Sequence, residues 1–80
     1  MRNERHTEFL RHLEPLYQAL SRYCRAISGN TNDAEDLLHD TLLNSIENFG
    51  KIKDLSLFKP YVFSIASNLN KKKLRRLKFR

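Results

Sequence analysis

Residues 33–50 read DAEDLLHDTLLNSIENFG, and this stretch decides the fold. Ala34, Leu37, Leu38, Thr41, Leu42, Ser45, Ile46 and Phe49 recur in steps of one, three and four. That is the spacing of one face of an α-helix, and nothing here alternates in twos as a half-buried strand would. Asn32 stands where it can cap this helix, with Glu35 three residues on to return the hydrogen bond. Acids in the first turn suit the positive end of the helix dipole. Gly50 marks its end.

Upstream, Phe9, Leu13, Leu16, Leu20, Tyr23 and Ile27 keep the same period, and Leu10, Tyr17 and Cys24 widen the stripe. Pro15 interrupts it, because proline removes a backbone donor and crowds the preceding turn. The predicted elements are a short helix over about Thr7–Glu14, a bend, and a helix over Pro15–Ser28. Gly29 is expected as a left-handed C-cap, with Asn30, Thr31 and Asn32 forming the turn. Downstream, a linker runs from Gly50 to about Lys59, and Pro60 falls at or near the start of a last helix, where its missing donor costs little. That helix carries Val62, Phe63, Ile65, Ala66 and Leu69. The expected fold is all-α, a compact bundle of three long helices with the first bent or split at Pro15.

Eighty residues make one small domain. The composition, 40% hydrophobic and 30% charged with two Gly and two Pro, is that of a folded chain and not a disordered one. One cysteine, Cys24, rules out an internal disulfide and a cysteine-based zinc site. Its place on the apolar stripe reads as core. No apolar run approaches a membrane span, and no signal-peptide core follows Met1. The expected location is cytoplasmic.

The net charge of +6 is unevenly spread. Residues 71–80 hold seven of the fifteen Lys and Arg and none of the nine acids. Between Arg25 and Lys51 there is no Lys or Arg, while Asp33, Glu35, Asp36, Asp40 and Glu47 fall there. An acidic middle and a basic tail suggest two partners of opposite charge, the tail attracting polyanions.

Catalysis finds no support. His6, His12 and His39 lack metal-ligand spacing, no glycine-rich phosphate loop exists, and Asp36 and Asp40 share a helical face without a nucleophile or cofactor. No cofactor is expected, and the chain reads as a non-enzyme. Ile52, Phe58, Tyr61 and Phe63 cluster around a basic loop. Such aromatics beside cations suit single-stranded nucleic acid, where an unstacked base gains about 1–3 kcal/mol on a π-face. Asn68 carries both donors and an acceptor and can read a base edge, or alternatively tether the loop backbone. The tail itself has two other readings, a solvated helix end or, through Leu74, Leu77 and Phe79, an interfacial membrane helix.

The order of segments resembles a known family. Residues 33–42, DAEDLLHDTL, are similar to the "DAEDLVQETF" signature of bacterial sigma factors of the extracytoplasmic-function group. Residues 61–69, YVFSIASNL, resemble that group's "WLYRIARNL", and Leu74-Arg75-Arg76 its following "LRR". Leu16-Tyr17, Tyr23-Cys24-Arg25 and Gly29 fit the helix before them. The resemblance implies that residues 1–80 are a region-two domain, which binds the clamp helices of core RNA polymerase and recognises and melts the minus-ten promoter element. Position by position it puts Asp36, Leu37, His39, Asp40, Asn44 and Ile46 on the polymerase-binding helix. Lys51, Ile52, Lys53, Asp54 and Ser56 fall on the loop that cradles a flipped non-template base, with Phe58, Tyr61 and Asn68 beside it. Lys71, Lys72, Arg75 and Arg76 fall on the segment that holds DNA backbone phosphates.

The chain departs from the family pattern at His39 for the usual Gln, Tyr61 for the usual Trp, and Lys72 for the usual Asp. The family's domain for the minus-thirty-five element is absent from this chain, so a domain-sized piece of a longer factor is expected, with a naturally truncated homologue as the alternative. An anti-sigma factor is a further partner of such factors, and no membrane partner is implied. Two alternatives from other classes remain at this level, a protein-interaction module and a non-specific basic nucleic-acid-binding helical domain.

Overall fold

A computed structural model describes residues 4–78. Four α-helices form the bundle: α1 (Glu4–Leu13), α2 (Tyr17–Ile27), α3 (Thr31–Asn48) and α4 (Phe58–Lys78). A 3-10 turn at Glu14–Leu16 joins the first two, and 3-10 turns at Phe49–Lys51 and Leu55–Leu57 bracket the loop before α4. The first long helix is therefore split at Pro15. Proline in a helix interior costs about 3 kcal/mol, and the chain avoids that cost by tightening there, the Tyr17 N–H bonding to the Glu14 carbonyl.

The core draws on every helix. Phe9 and Leu13 come from α1, Leu16 from the turn, Leu20 and Cys24 from α2, Leu37 from α3, and Val62 and Ala66 from α4, with Phe49 and Phe58 at the two ends of the loop. The predicted stripes of α2, α3 and α4 are the buried ones; Leu10 and Tyr17, which widened the first stripe, are exposed. Burial of the Cys24 thiol pushes its pKa up, as expected of a small core residue. Ala34, Thr41 and Ser45 are buried on α3. The two hydroxyls satisfy themselves on the preceding turn, Thr41 Oγ1 donating to the Leu37 carbonyl and Ser45 Oγ to the Thr41 carbonyl, both at 2.7 Å. Short side chains at these positions leave room for close helix packing without an orphaned polar atom.

Phe9, Phe49 and Phe58 meet edge to face in all three pairings, with centroids 5.6–5.7 Å apart and planes at 81–89°. Edge-to-face pairs add about 0.5–1.5 kcal/mol each to simple burial. This triad clasps both ends of the 49–58 loop onto α1.

Two predicted helix ends are corrected. The N-cap of α3 is Asn30 and not Asn32: Asn30 Oδ1 accepts from the Asp33 N–H at 2.9 Å, and its Nδ2 donates to Asp33 Oδ2 at 3.2 Å. Residues 30–33 and 32–35 offer the same Asn-x-x-acid pattern in two registers, and the earlier one is used. Nor does Gly29 cap α2 in the left-handed region, since no described glycine has positive φ. The helix ends at Ser28 in extended geometry (φ −96°, ψ 159°), with its N–H on the Cys24 carbonyl. A Cβ added at Gly29 would meet nothing within 4 Å. Gly29→Ala is therefore expected to leave stability unchanged or raise it by about 0.4–1 kcal/mol through the unfolded chain. A chemical denaturation midpoint checks this.

Candidate nucleic-acid and protein interfaces

A row of polar ties sets α4 against the rest of the bundle. Ser67 Oγ meets Tyr23 Oη at 2.8 Å, Asn70 Nδ2 donates to the Ile27 carbonyl at 3.3 Å, and Lys73 Nζ lies 3.0 Å from Asp33 Oδ1. Ser67, Asn70 and Lys73 are three residues apart and so share a face of α4. Together they register its basic half on the α2–α3 turn. Asn68, considered as a tether of the loop backbone, is exposed and its side chain meets no hydrogen-bond partner among the described residues; Asn70 instead ties α4 to the end of α2. None of these ties was singled out from the sequence, because each depends on which helices become neighbours.

On α3, Asp36, His39, Asp40 and Glu47 are exposed, and Leu43 among them is 52% exposed. These positions are one to three turns apart on a single face, so an acidic ridge carries one apolar knob. Leu43 was missed by the sequence reading; its signal was an apolar residue lying off the buried stripe. Leu37 is corrected from a contact residue to a core residue, being 6% exposed on the flank of the ridge. Asn44 and Ile46 are half-buried. Asn44 accepts from Asn48 Nδ2 through both its carbonyl and its Oδ1, and Ile46 packs on the core.

The 49–58 loop makes a concavity of about 380 Å³ lined by Lys51, Ile52, Lys53, Asp54, Leu57 and Tyr61. Asp54 shapes it: Oδ1 accepts from the Ser56 hydroxyl at 2.7 Å and the Ser56 N–H at 3.0 Å, which caps the following 3-10 turn. The Ser56 hydroxyl, then its N–H, hold the Asp54 carboxyl below its usual pKa. Five predicted residues are therefore brought together, and Leu57, 56% exposed, joins them. Ser56 is occupied with Asp54. Phe58 is corrected from a base contact to a core residue, since only 3% of it is exposed and its ring belongs to the aromatic triad. Phe63 is likewise engaged, against Tyr23 at 5.2 Å with Lys59 Nζ 6.0 Å above its ring. Asn68 does not line the concavity; it stands two turns beyond Tyr61, about 10 Å along α4.

Lys71, Lys72, Arg75 and Arg76 are exposed on the last turns of α4, with Leu74 55% exposed between them. Side chains from Leu77 onward, including Lys78, Phe79 and Arg80, lie outside the described residues. No described helix is long and apolar enough to cross a membrane. Between this basic end, the α2–α3 turn and the start of the acidic ridge runs a groove of about 1350 Å³. Segments of opposite charge, far apart in sequence, are thus side by side in space.

Comparison with known proteins places this arrangement. The chain is 32% identical over 66 residues to the ECF RNA polymerase sigma factor SigG of Mycobacterium tuberculosis, in strains CDC 1551/Oshkosh and ATCC 25618/H37Rv. The match covers 82% of this chain and 18% of that protein's length. No solved structure matches the chain. The family described as Sigma-70 region 2 matches residues 9–80, from Phe9 of the aromatic triad through the basic end of α4. The chain belongs to the sigma-70 region 2 family.

Proposed function

We propose that this domain binds core RNA polymerase through the exposed ridge of α3 and reads and opens the minus-ten element of a promoter with the 51–57 loop and α4. The observation that carries the reading is the loop concavity at the start of α4, on the same helix as the exposed cations of its last turns. Ile52, Leu57 and Tyr61 supply apolar and aromatic surface for an unstacked base, and Lys51, Lys53 and Asp54 supply a donor-and-acceptor rim. Opening DNA costs a few kcal/mol per extruded base. The isolated domain therefore binds single strands in preference to duplex, and polymerase supplies the remaining free energy in the complex. The domain catalyses nothing itself, and its place of work is the cytoplasm, where polymerase and promoter meet. Selection from a pool of randomised single strands tests the reading: enrichment of one short consensus supports it, and a pool that stays random contradicts it.

The cations act on phosphate and not on sequence. Replacing Lys72, Arg75 and Arg76 by Ala is expected to weaken all single strands alike and to flatten the log–log salt slope by about two units. A wild-type slope in the triple variant would make the tail a solvated helix end.

Asn68 is the base reader on α4. Asn68→Ala is expected to lose about 1–3 kcal/mol of discrimination between the selected consensus and a point-mutated strand. Melting temperature stays close to wild type because the amide holds nothing in the fold. An unchanged affinity ratio removes Asn68 from the site.

A further inference from the structure

α2 and α4 meet along a seam built from hydroxyls, rings and cations. Tyr23 Oη and Ser67 Oγ pair across it at 2.8 Å, and the Tyr23 ring packs on Phe63 at 5.2 Å. Lys59 Nζ stands 6.0 Å above the Phe63 ring. Ala19 and Ala26 flank Tyr23 at helical spacing, so the α2 side of the seam is shallow. Lys71 follows Ser67 by one turn, and Arg22 stands next to Tyr23 on the outer rim. None of Arg22, Lys59, Ser67 and Lys71 lines the groove shared with α3.

No carboxylate lies between Glu14 and Asp33 or after Asp54, so both walls carry cations alone. Among the described residues Arg22, Lys59 and Lys71 are exposed and take part in no ion pair. A hydroxyl pair uses one of its two hydrogens, and the other is left to donate to a third group. Cations around a shallow floor with a spare hydroxyl donor suit a phosphate backbone. The two rings are engaged with each other and with Lys59, so the seam has no open π-face for an unstacked base. Lys59 and Lys71 are twelve residues apart, about 18 Å along α4. That is the length of about five phosphates on one strand of a duplex.

We propose that the α2–α4 seam is a second nucleic-acid site, one that holds the backbone of double-stranded DNA beside the opened segment. The proposal rests on the reading of the loop and α4 as the single-strand site. Arg22, Lys59 and Lys71 neutralise duplex phosphates irrespective of sequence, and Arg22 brings α2 into DNA binding.

The test compares the affinities of labelled oligonucleotides for the chain. They are the selected single strand, and that strand extended at its 5′ or its 3′ end by arbitrary duplex of about ten base pairs, one helical turn. Wild type is expected to bind one of the two junctions more tightly than the bare strand, with a log–log salt slope steeper by about two units. That gain should fall about tenfold between about 50 and 200 mM salt. Arg22→Ala with Lys59→Ala is expected to erase most of the gain and to leave affinity for the bare strand near wild type. Both side chains are exposed, so far-ultraviolet circular dichroism should not change. Arg11→Ala removes a cation from α1, which has no part in the seam, and is expected to keep the gain. Wild-type junctions that bind no more tightly than the strand overturn the seam alone. So does a double variant that keeps the gain, or one that weakens strand and junction equally. A helical wild-type chain that does not bind the selected strand overturns the functional reading and the proposal with it.

Discussion

Reversing two charges on the α3 ridge, with Asp36→Arg and Asp40→Arg together, is expected to abolish binding to core RNA polymerase while the domain stays folded. Both side chains are exposed and one helical turn apart. Among the described residues neither takes part in a hydrogen bond or ion pair, so the fold loses nothing that they hold. A basic surface that pairs with two carboxylates meets two guanidinium groups instead. Attraction becomes repulsion at each position, a change of several kcal/mol in a desolvated interface, or more than a thousandfold in affinity. Titration of core polymerase with the labelled double variant checks this, beside its far-ultraviolet circular dichroism. The variant also adds positive charge along the groove, so its affinity for single-stranded DNA should rise. Opposite movements for the two partners distinguish a specific contact from general damage.

The second large effect lies in the core. Phe58→Ala is expected to destabilise the domain by about 3–5 kcal/mol, the range for deleting a buried aromatic ring. Its ring packs edge to face on Phe9 and Phe49 and has His12 at 6.0 Å, so the cavity is bounded by three rings that cannot all close in. For a domain of this size, 1 kcal/mol moves the melting temperature by about 4–8 °C, which makes the expected fall at least about 12 °C. The same variant separates two roles for this residue. A ring that stacked on DNA would give weaker oligonucleotide binding with an unchanged melting temperature. A ring that clasps the loop gives the thermal loss first, and loss of binding only as the loop unfastens. A thermal melt followed by circular dichroism reads the difference.

That Phe58 could be taken for a DNA contact shows where sequence reading is weak. An aromatic next to a basic loop looks the same whether its ring points at solvent or at the core. The period carried the answer, since Phe58, Val62, Ala66 and Leu69 continue one helical stripe back across Pro60. Reading the linker as running to Lys59 cut that stripe short. Pro60 instead lies within the first turn of α4, where the N–H groups have no helical partner to lose. Leu37 shows the same conflict on α3: its place in the motif suggested a contact, whereas the run Ala34, Leu37, Thr41, Ser45 marks it as core.

Local chemistry made other features legible. Proline's missing donor forecast the break before α2, and the apolar periods forecast which faces of α2, α3 and α4 are buried. The cap of α3 was off by two residues because two equivalent Asn-x-x-acid registers overlap. What the sequence could not show is the meeting of distant segments. The ties of Ser67, Asn70 and Lys73 to Tyr23, Ile27 and Asp33 arise only once α4 lies against the α2–α3 turn. The charge pattern suggested two separate partner surfaces, and the packing brings them to one groove.

Whether one small bundle joins polymerase to a specific opened strand is decided by titrating the selected single strand, and a scrambled strand of equal length, into the domain alone and into its complex with core polymerase. The selected strand is expected to bind more tightly in both, the complex to widen its advantage over the scrambled strand, and Asn68→Ala to narrow it. Equal affinity for the two strands in the complex would mean that the domain does not read the strand.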